Sequence, residues 1–285
     1  MTIIEKIHNF LDYEIETPSS YGAFHIVSLV LIVAFTVFLC KAFKNSDEKS
    51  ERRIAFWCWI VVVVLEIYKQ LNFSISFEEG VFVWDYSWYS FPFQFCSSPI
   101  YVLPLVAFLP SGKVREALVA FLGTFSLFAG LAVCIYPNDV YISTLGIDIQ
   151  TTVHHGLQVV LGIFFALRRF DCENPPKKKS YLLGAISVFA VFAGTAMLLN
   201  IVGYHALTAL GIDETFNMFY ISPYFECTLP VLSIVDDFLP YPIFLAVYIF
   251  GFGLVAFIMM TLVNSVIFAV RKIITKTKLN GNKYA

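Results

Sequence analysis

The sequence predicts an all-α, polytopic membrane bundle of seven transmembrane helices, and three observations predict it. Hydrophobic residues make up 58% of the 285 positions and charged ones 14%, with a mean hydropathy of +0.74. A soluble domain is about half apolar and a quarter charged. Seven stretches reach the roughly 20 apolar residues that a bilayer crossing needs: 23–41, 53–71, 91–109, 115–136, 149–168, 181–205 and 241–270. The loops between them alternate in charge. A net charge of −2, with no basic face of the nucleic-acid-binding kind, excludes DNA and RNA as partners.

The chain reads as a single membrane domain over 1–285, opening with an outer interfacial segment, 1–20. Ile3, Ile4, Ile7 and Leu11 fall at helical spacing, so residues 2–14 form either a short helix in the interface or a frayed polar tail. The acidic residues Glu5, Asp12, Glu14 and Glu16, with no small-residue cleavage pattern after them, argue against a signal peptide. The seven-helix bundle spans 23–270, with an outer cap loop at 206–240, and a basic tail, 271–285, closes the chain.

Orientation follows from the charges. Lys41 to Arg53, Lys113 and Arg115, Arg168 to Lys179, and Arg271 to Lys283 place every Lys and Arg except Lys6 and Lys69 on alternate loops. Positive loops stay in the cytoplasm, so the N-terminus is expected outside and the C-terminus in the cytoplasm of a multi-pass cell-membrane protein. Anionic lipid and topology account for the basic runs without a further partner.

Span 91–109 (FPFQFCSSPIYVLPLVAFL) is long enough to cross but is a poor standard helix. Pro99 and Pro104 each lack a backbone N–H and free carbonyls about one turn upstream. Within a membrane such carbonyls need partners from neighbouring helices, hydroxyls or water. Gln94, Cys96, Ser97 and Ser98 sit in that disrupted turn.

On the expected orientation, further polar residues share this outer level: His25, Glu66, His154, His155, Gln158, Asn200 and, in the following loop, Asn217. Ionisable residues inside a membrane usually face a cavity or the bundle interior. The inner halves read as almost free of comparable residues. An outward-open polar pocket is the inference, with the aromatic, Lys- and Arg-free loop 206–240 as its interfacial lid. Six cysteines contain no C-x-x-C pair, and adjacent His154 and His155 lack the spacing of helix-borne zinc ligands. No metal and no cofactor are expected. Cys134 and Cys227 both fall on the outer side, as a disulfide or as free thiols.

The motifs PFQFC at 92–96, HHG at 154–156, Asn200, NMFYISP at 217–223 and LPYP at 239–242 resemble the YwaF-like bacterial integral membrane proteins. These are related to a eukaryotic transmembrane acyltransferase that remodels ether phospholipids. The resemblance covers roughly residues 20–270. It implies a catalytic Cys on an early-middle span and a His on a later one, falling on Cys96 and, before the glycine, His155, with His154 as substitute. Gln94 stands where many relatives carry a histidine. The implied activity is lipid acyl transfer or hydrolysis through a thioester on Cys96, with a membrane phospholipid as partner. The imidazole would act as base, since a neutral thiol is a weak nucleophile. The rival reading is a non-enzymatic small-ligand binder or transporter using the same pocket.

Overall fold

The computed structural model describes residues 3–138, 140–170 and 176–281. Ten α-helices appear among them, labelled α1 to α10, with a two-stranded hairpin, β1 and β2. Five stretches of helix are long and apolar enough to cross a membrane: α2 (Ala23–Ala42), α3 (Glu48–Ser74), the rod Lys113–Ile135, α8 (Lys178–Leu210) and the Tyr241–Ala269 part of α10 (Tyr241–Gly281). The rod comprises α5 (Lys113–Phe121), a π turn at Leu122–Ser126, and α6 (Leu127–Ile135).

The other two expected spans take a different form for identifiable reasons. Stretch 91–109 divides into an irregular lead-in, a 3-10 turn at Phe95–Ser97, and the short α4 (Pro99–Phe108). Pro99 sits at the first helical position, where its missing N–H is harmless to the new helix. Helix α7 (Leu145–Phe170) is long enough, at about 1.5 Å per residue, but its first half carries Asp148, Gln150, Thr151, His154, His155 and Gln158. All six are buried. α7 lies at the centre of the bundle, against α2, α3, α5, α6 and α10. A helix surrounded by protein need not be apolar on every face.

Helix α3 starts at Asp47, whose carboxylate accepts from the Ser50 N–H at 2.9 Å. It runs 27 residues, about 40 Å, which exceeds a hydrocarbon core of about 30 Å. At its far end the chain turns directly into β1 (Ile75–Glu78) and β2 (Val81–Trp84). Glu79 and Gly80 both take positive φ between them, the two-residue turn that matches strand twist. This hairpin was absent from the all-α expectation.

The N-terminal segment forms α1 (Ile3–Leu11) and then lies across the ends of α3 and α7 next to the hairpin. Tyr68 OH donates to Leu11 O at 2.7 Å, Asn72 and Thr144 both donate to Asp12 Oδ1 at 3.2 Å, and Leu145 N–H donates to Tyr13 O at 3.0 Å. His8 on α1 donates to Ile75 O at 3.0 Å. This end of the molecule is called the hairpin end below.

The opposite, arginine end corrects the expectation that its interior lacks polar residues. Glu51, 3% exposed, is shared by three arginines. Its Oε1 accepts from Arg168 Nε at 2.8 Å and Arg169 Nη1 at 2.9 Å, and its Oε2 from Arg169 Nη2 at 3.1 Å and Arg115 Nη2 at 3.2 Å. Arg115 is itself 1% exposed, and its Nε donates to Val106 O at 3.0 Å. Glu116 pairs with Arg169, and Glu48 with Arg52. Residues whose sequence positions indicated only orientation thus tie α3, α5 and α7 together. Within the basic tail, 282–285 fall outside the described residues, as does Cys172.

Candidate functional site

The site begins with a carbonyl that its own backbone leaves without a donor. In a continued 3-10 turn Cys96 O would accept from the N–H of residue 99, but Pro99 has none. Two side chains from α7 take its place. His154 Nε2 donates to Cys96 O at 2.9 Å and Gln158 Nε2 donates to the same oxygen at 2.9 Å. The spacing of four residues puts both on one face of α7. Because Nε2 faces a carbonyl it carries the hydrogen, so Nδ1 of neutral His154 holds the lone pair.

Around this contact the polar atoms are buried and incompletely partnered. Cys96 is partly buried, Ser98 1% and His154 2% exposed. Ser97 is also buried. Glu66 pairs with Lys69 at 2.8 Å and accepts from Gln70 Nε2 at 2.7 Å. The charges of both Glu66 and Lys69 act on Cys96 and His154. Gln70 also donates to Ser90 O at 2.7 Å and accepts from Tyr86 OH at 2.8 Å. Burial first, then the Glu66 charge, push the Tyr86 phenol up, so it stays a donor. Glu66 Oε2, His154 Nδ1, Gln158 Oε1 and Ser98 Oγ have no protein partner among the described residues.

Gln94, Asn200 and Asn217 do a different job. They hold segment 216–222, which enters the bundle instead of lying over it as a lid. Asn200 clamps Met218 at two points, donating to its O at 3.0 Å and accepting from its N–H at 2.6 Å. Gln94 donates to Asn217 O and accepts from Phe219 N–H, both at 3.1 Å. Asn217 donates to Glu226 O at 3.0 Å and accepts from Ser222 N–H at 2.9 Å. Tyr248 and Tyr241 of α10 donate to Phe219 O at 2.8 Å and Ile221 O at 2.7 Å. Met218 and Phe219 are fully buried, the latter at φ 59°. Irregular backbone survives inside a bundle only with such partners. The tyrosine straps carried no sequence signal beyond being aromatic.

Beneath the segment, Phe219 packs on Phe95 at 5.5 Å between ring centroids. Phe95 continues to Phe252 at 5.1 Å, and Phe125 of the π turn stacks on Phe189 at 4.6 Å. Through Phe95 this cluster adjoins Cys96 directly in the chain.

His155 goes elsewhere. Its Nδ1 donates to Thr151 O at 2.8 Å, and its ring borders a cleft toward α2 and α6. The histidine that touches Cys96 is His154. His25 is fully engaged, accepting from Tyr21 N–H and donating to Cys134 O, each at 2.9 Å. Cys134 and Cys227 are free thiols, not a disulfide. Burial pushes the Cys227 thiol up, which keeps it protonated and unreactive. No cluster of three or more His, Cys, Asp or Glu suited to a metal occurs among the described residues.

Apolar spanning helices around a buried polar centre define a multi-pass integral membrane protein. The chain belongs to the TMEM164 family, whose model matches residues 20–263. That match contains every candidate site residue. No curated protein and no solved structure matches the chain.

Proposed function

We propose that this protein is a cell-membrane lipid acyltransferase or acyl hydrolase acting through Cys96 and His154. In this reading the chain crosses seven times, with the N-terminus outside, so that the site lies at the outer-leaflet level. The alternating loop charges support the orientation, and the YwaF-like resemblance supports the chemistry. The single observation that carries the proposal is the 2.9 Å bond from His154 Nε2 to Cys96 O. It attaches the imidazole to the nucleophile's own residue and fixes the tautomer in which Nδ1 is the free base.

The Cys96 thiol proton passes to His154, and the thiolate attacks the ester carbonyl of a phospholipid to form a thioester. The imidazolium then returns the proton to the leaving lipid hydroxyl. An acceptor alcohol or water, deprotonated by His154, cleaves the thioester and frees Cys96. Gln94, engaged with segment 216–222, is not available to the oxyanion. Ser98 Oγ, buried without a partner, is the better-placed donor, beside Ser97. Glu66 and Lys69 supply the local field. The aromatic cluster below receives acyl chain and excludes water.

A thiol-directed acyl probe on protein in nanodiscs tests this. Wild type and His155→Ala are expected to label, while Cys96→Ser and His154→Ala lose labelling with the protein still folded. Normal labelling of Cys96→Ser or His154→Ala would sink acyl transfer and favour a ligand binder built on the unpaired Glu66 and Gln158 oxygens.

A further inference from the structure

Segment 216–222 carries backbone strain at its centre. Phe219 and Tyr220 hold φ at 59° and 56°. Among the described residues they are the one pair of neighbouring non-glycine residues with positive φ. Bulky side chains rarely adopt this left-handed region, and they persist there only where the surroundings impose it. Here the imposing groups come from three separate places: Gln94 ahead of α4, Asn200 on α8, and Tyr241 and Tyr248 on α10. All of them hold the segment through hydrogen bonds to its backbone.

The strained residue lies against the neighbour of the nucleophile. Phe95, next to Cys96 in the chain, has four ring partners among the described residues: Phe125, Phe189, Phe219 and Phe252. Phe125 and Phe219 are 0% exposed and Phe189 1%. Interiors packed this closely hold no void for an alkyl chain. A ring must therefore leave before an acyl chain can enter the cluster. Phe125, Phe189 and Phe252 stand on continuous helix, in the rod, α8 and α10, and can swing only within the space their neighbours allow. Phe219 alone stands on irregular backbone. Its departure exchanges a few hydrogen bonds and releases the left-handed strain.

We infer that segment 216–222 is a gate for the lipid acyl chain. Phe219 withdraws from Phe95, and the chain takes the place of its ring. No covalent bond changes in this step. The inference rests on the acyl-transfer reading of Cys96 and adds how the chain is admitted.

Hydrogen exchange tests the movement without turnover. Cys96→Ser protein in a maltoside detergent is mixed with a dialkyl-ether phospholipid, which has no ester to cleave. Amide exchange within 216–222, followed by mass spectrometry, is expected to rise saturably with the lipid, while peptides of α8 keep their protection. Tyr248→Phe, with Cys96 intact, removes the donor to Phe219 O and makes withdrawal easier. Where opening precedes binding, the labelling rate follows the open fraction, so loss of one hydrogen bond should speed acyl labelling about fivefold. A segment that served structure alone would give unchanged or slower labelling. Tyr241→Phe, which frees Ile221 O, is the second variant should Tyr248→Phe not fold. Exchange that ignores the ether lipid, or labelling no faster in either variant, would overturn the gate and leave acyl transfer standing. Wild type that does not label at all would remove acyl transfer, and the gate with it.

Discussion

The two ends of the bundle solve the same physical problem in opposite ways. At the arginine end, each oxygen of Glu51 receives two guanidinium hydrogens, and Arg115 is additionally held by Val106 O. At the hairpin end, Glu66 uses one oxygen and leaves the other unpaired, as do His154 at Nδ1, Gln158 at Oε1 and Ser98 at Oγ. A saturated network fixes helices and has no capacity left for a ligand. An unsaturated one gives up stability and keeps that capacity, as functional sites do. The difference teaches where to look for chemistry: not where charge is densest, but where buried atoms remain unpaired.

Glu51→Ala gives the largest expected effect, because it leaves buried guanidinium charge uncompensated. Breaking a buried ion pair from one side costs about 3–5 kcal/mol, read as a lower midpoint in thermal or denaturant unfolding. A loss below about 1 kcal/mol would show that the arginine end does not fix the fold. Asn200→Ala comes next. It strips the Met218 N–H of its partner and leaves Met218 O with only the long 3.4 Å bond from Ile221 N–H, and is expected to cost about 1–3 kcal/mol per group left bare. Proteolysis within 216–222 should rise with it, and unchanged protection would detach Asn200 from that segment.

Cys96→Ser sharpens the contrast from the other side. A near-isosteric change in an unsaturated site is expected to cost about 1 kcal/mol, the ordinary value for a point mutation, while acyl labelling disappears. A large stability loss with labelling retained would reverse the roles of the two ends.

The smallest effect is at Asp47, on the surface at the start of α3. Hydrogen bonds from Ser50, the hydroxyl first and the N–H second, hold its carboxyl below the usual range. The folded pKa is depressed, so the stabilisation is complete above the unfolded value of about 4 and disappears as pH falls through the lower folded value. Asp47→Ala is expected to flatten a small acid-side dependence of stability and, with the cap of α3 lost, to lower neutral-pH stability slightly without disturbing the networks at either end. An acid profile identical to wild type would remove Asp47 from the account.

Much of this was legible in the sequence, and the rest was hidden for physical reasons. The missing N–H of Pro99 announced a carbonyl in need of partners, and α7 supplies them. Which of two adjacent histidines reaches Cys96 depends on rotation of α7, where neighbours point about 100° apart, and no local pattern encodes that. Arg115, Arg168 and Arg169 read as topology signals because their loops alternate in charge, whereas Glu51 at their centre becomes visible only when three helices meet. Asn200 and Asn217 were legible as buried polar residues, but their partners are backbone atoms of a segment whose path no periodicity marks. The hairpin at 75–84 lay between apolar spans, too short to compete with them.

Segment 216–222 also constrains the order of assembly during synthesis. Asn200 precedes it in the chain, but two of its straps, Tyr241 and Tyr248, lie on the last long helix. When the segment leaves the ribosome, Phe219 O and Ile221 O therefore have no lasting partner within the bundle. Its settling between the helices is therefore expected to be complete only once α10 has been delivered. Nascent chains arrested before Tyr241 should expose 216–222 to protease, and chains arrested after α10 should protect it. On that expectation, leaving the insertion machinery and reaching the folded state are separate events, divided by the arrival of α10.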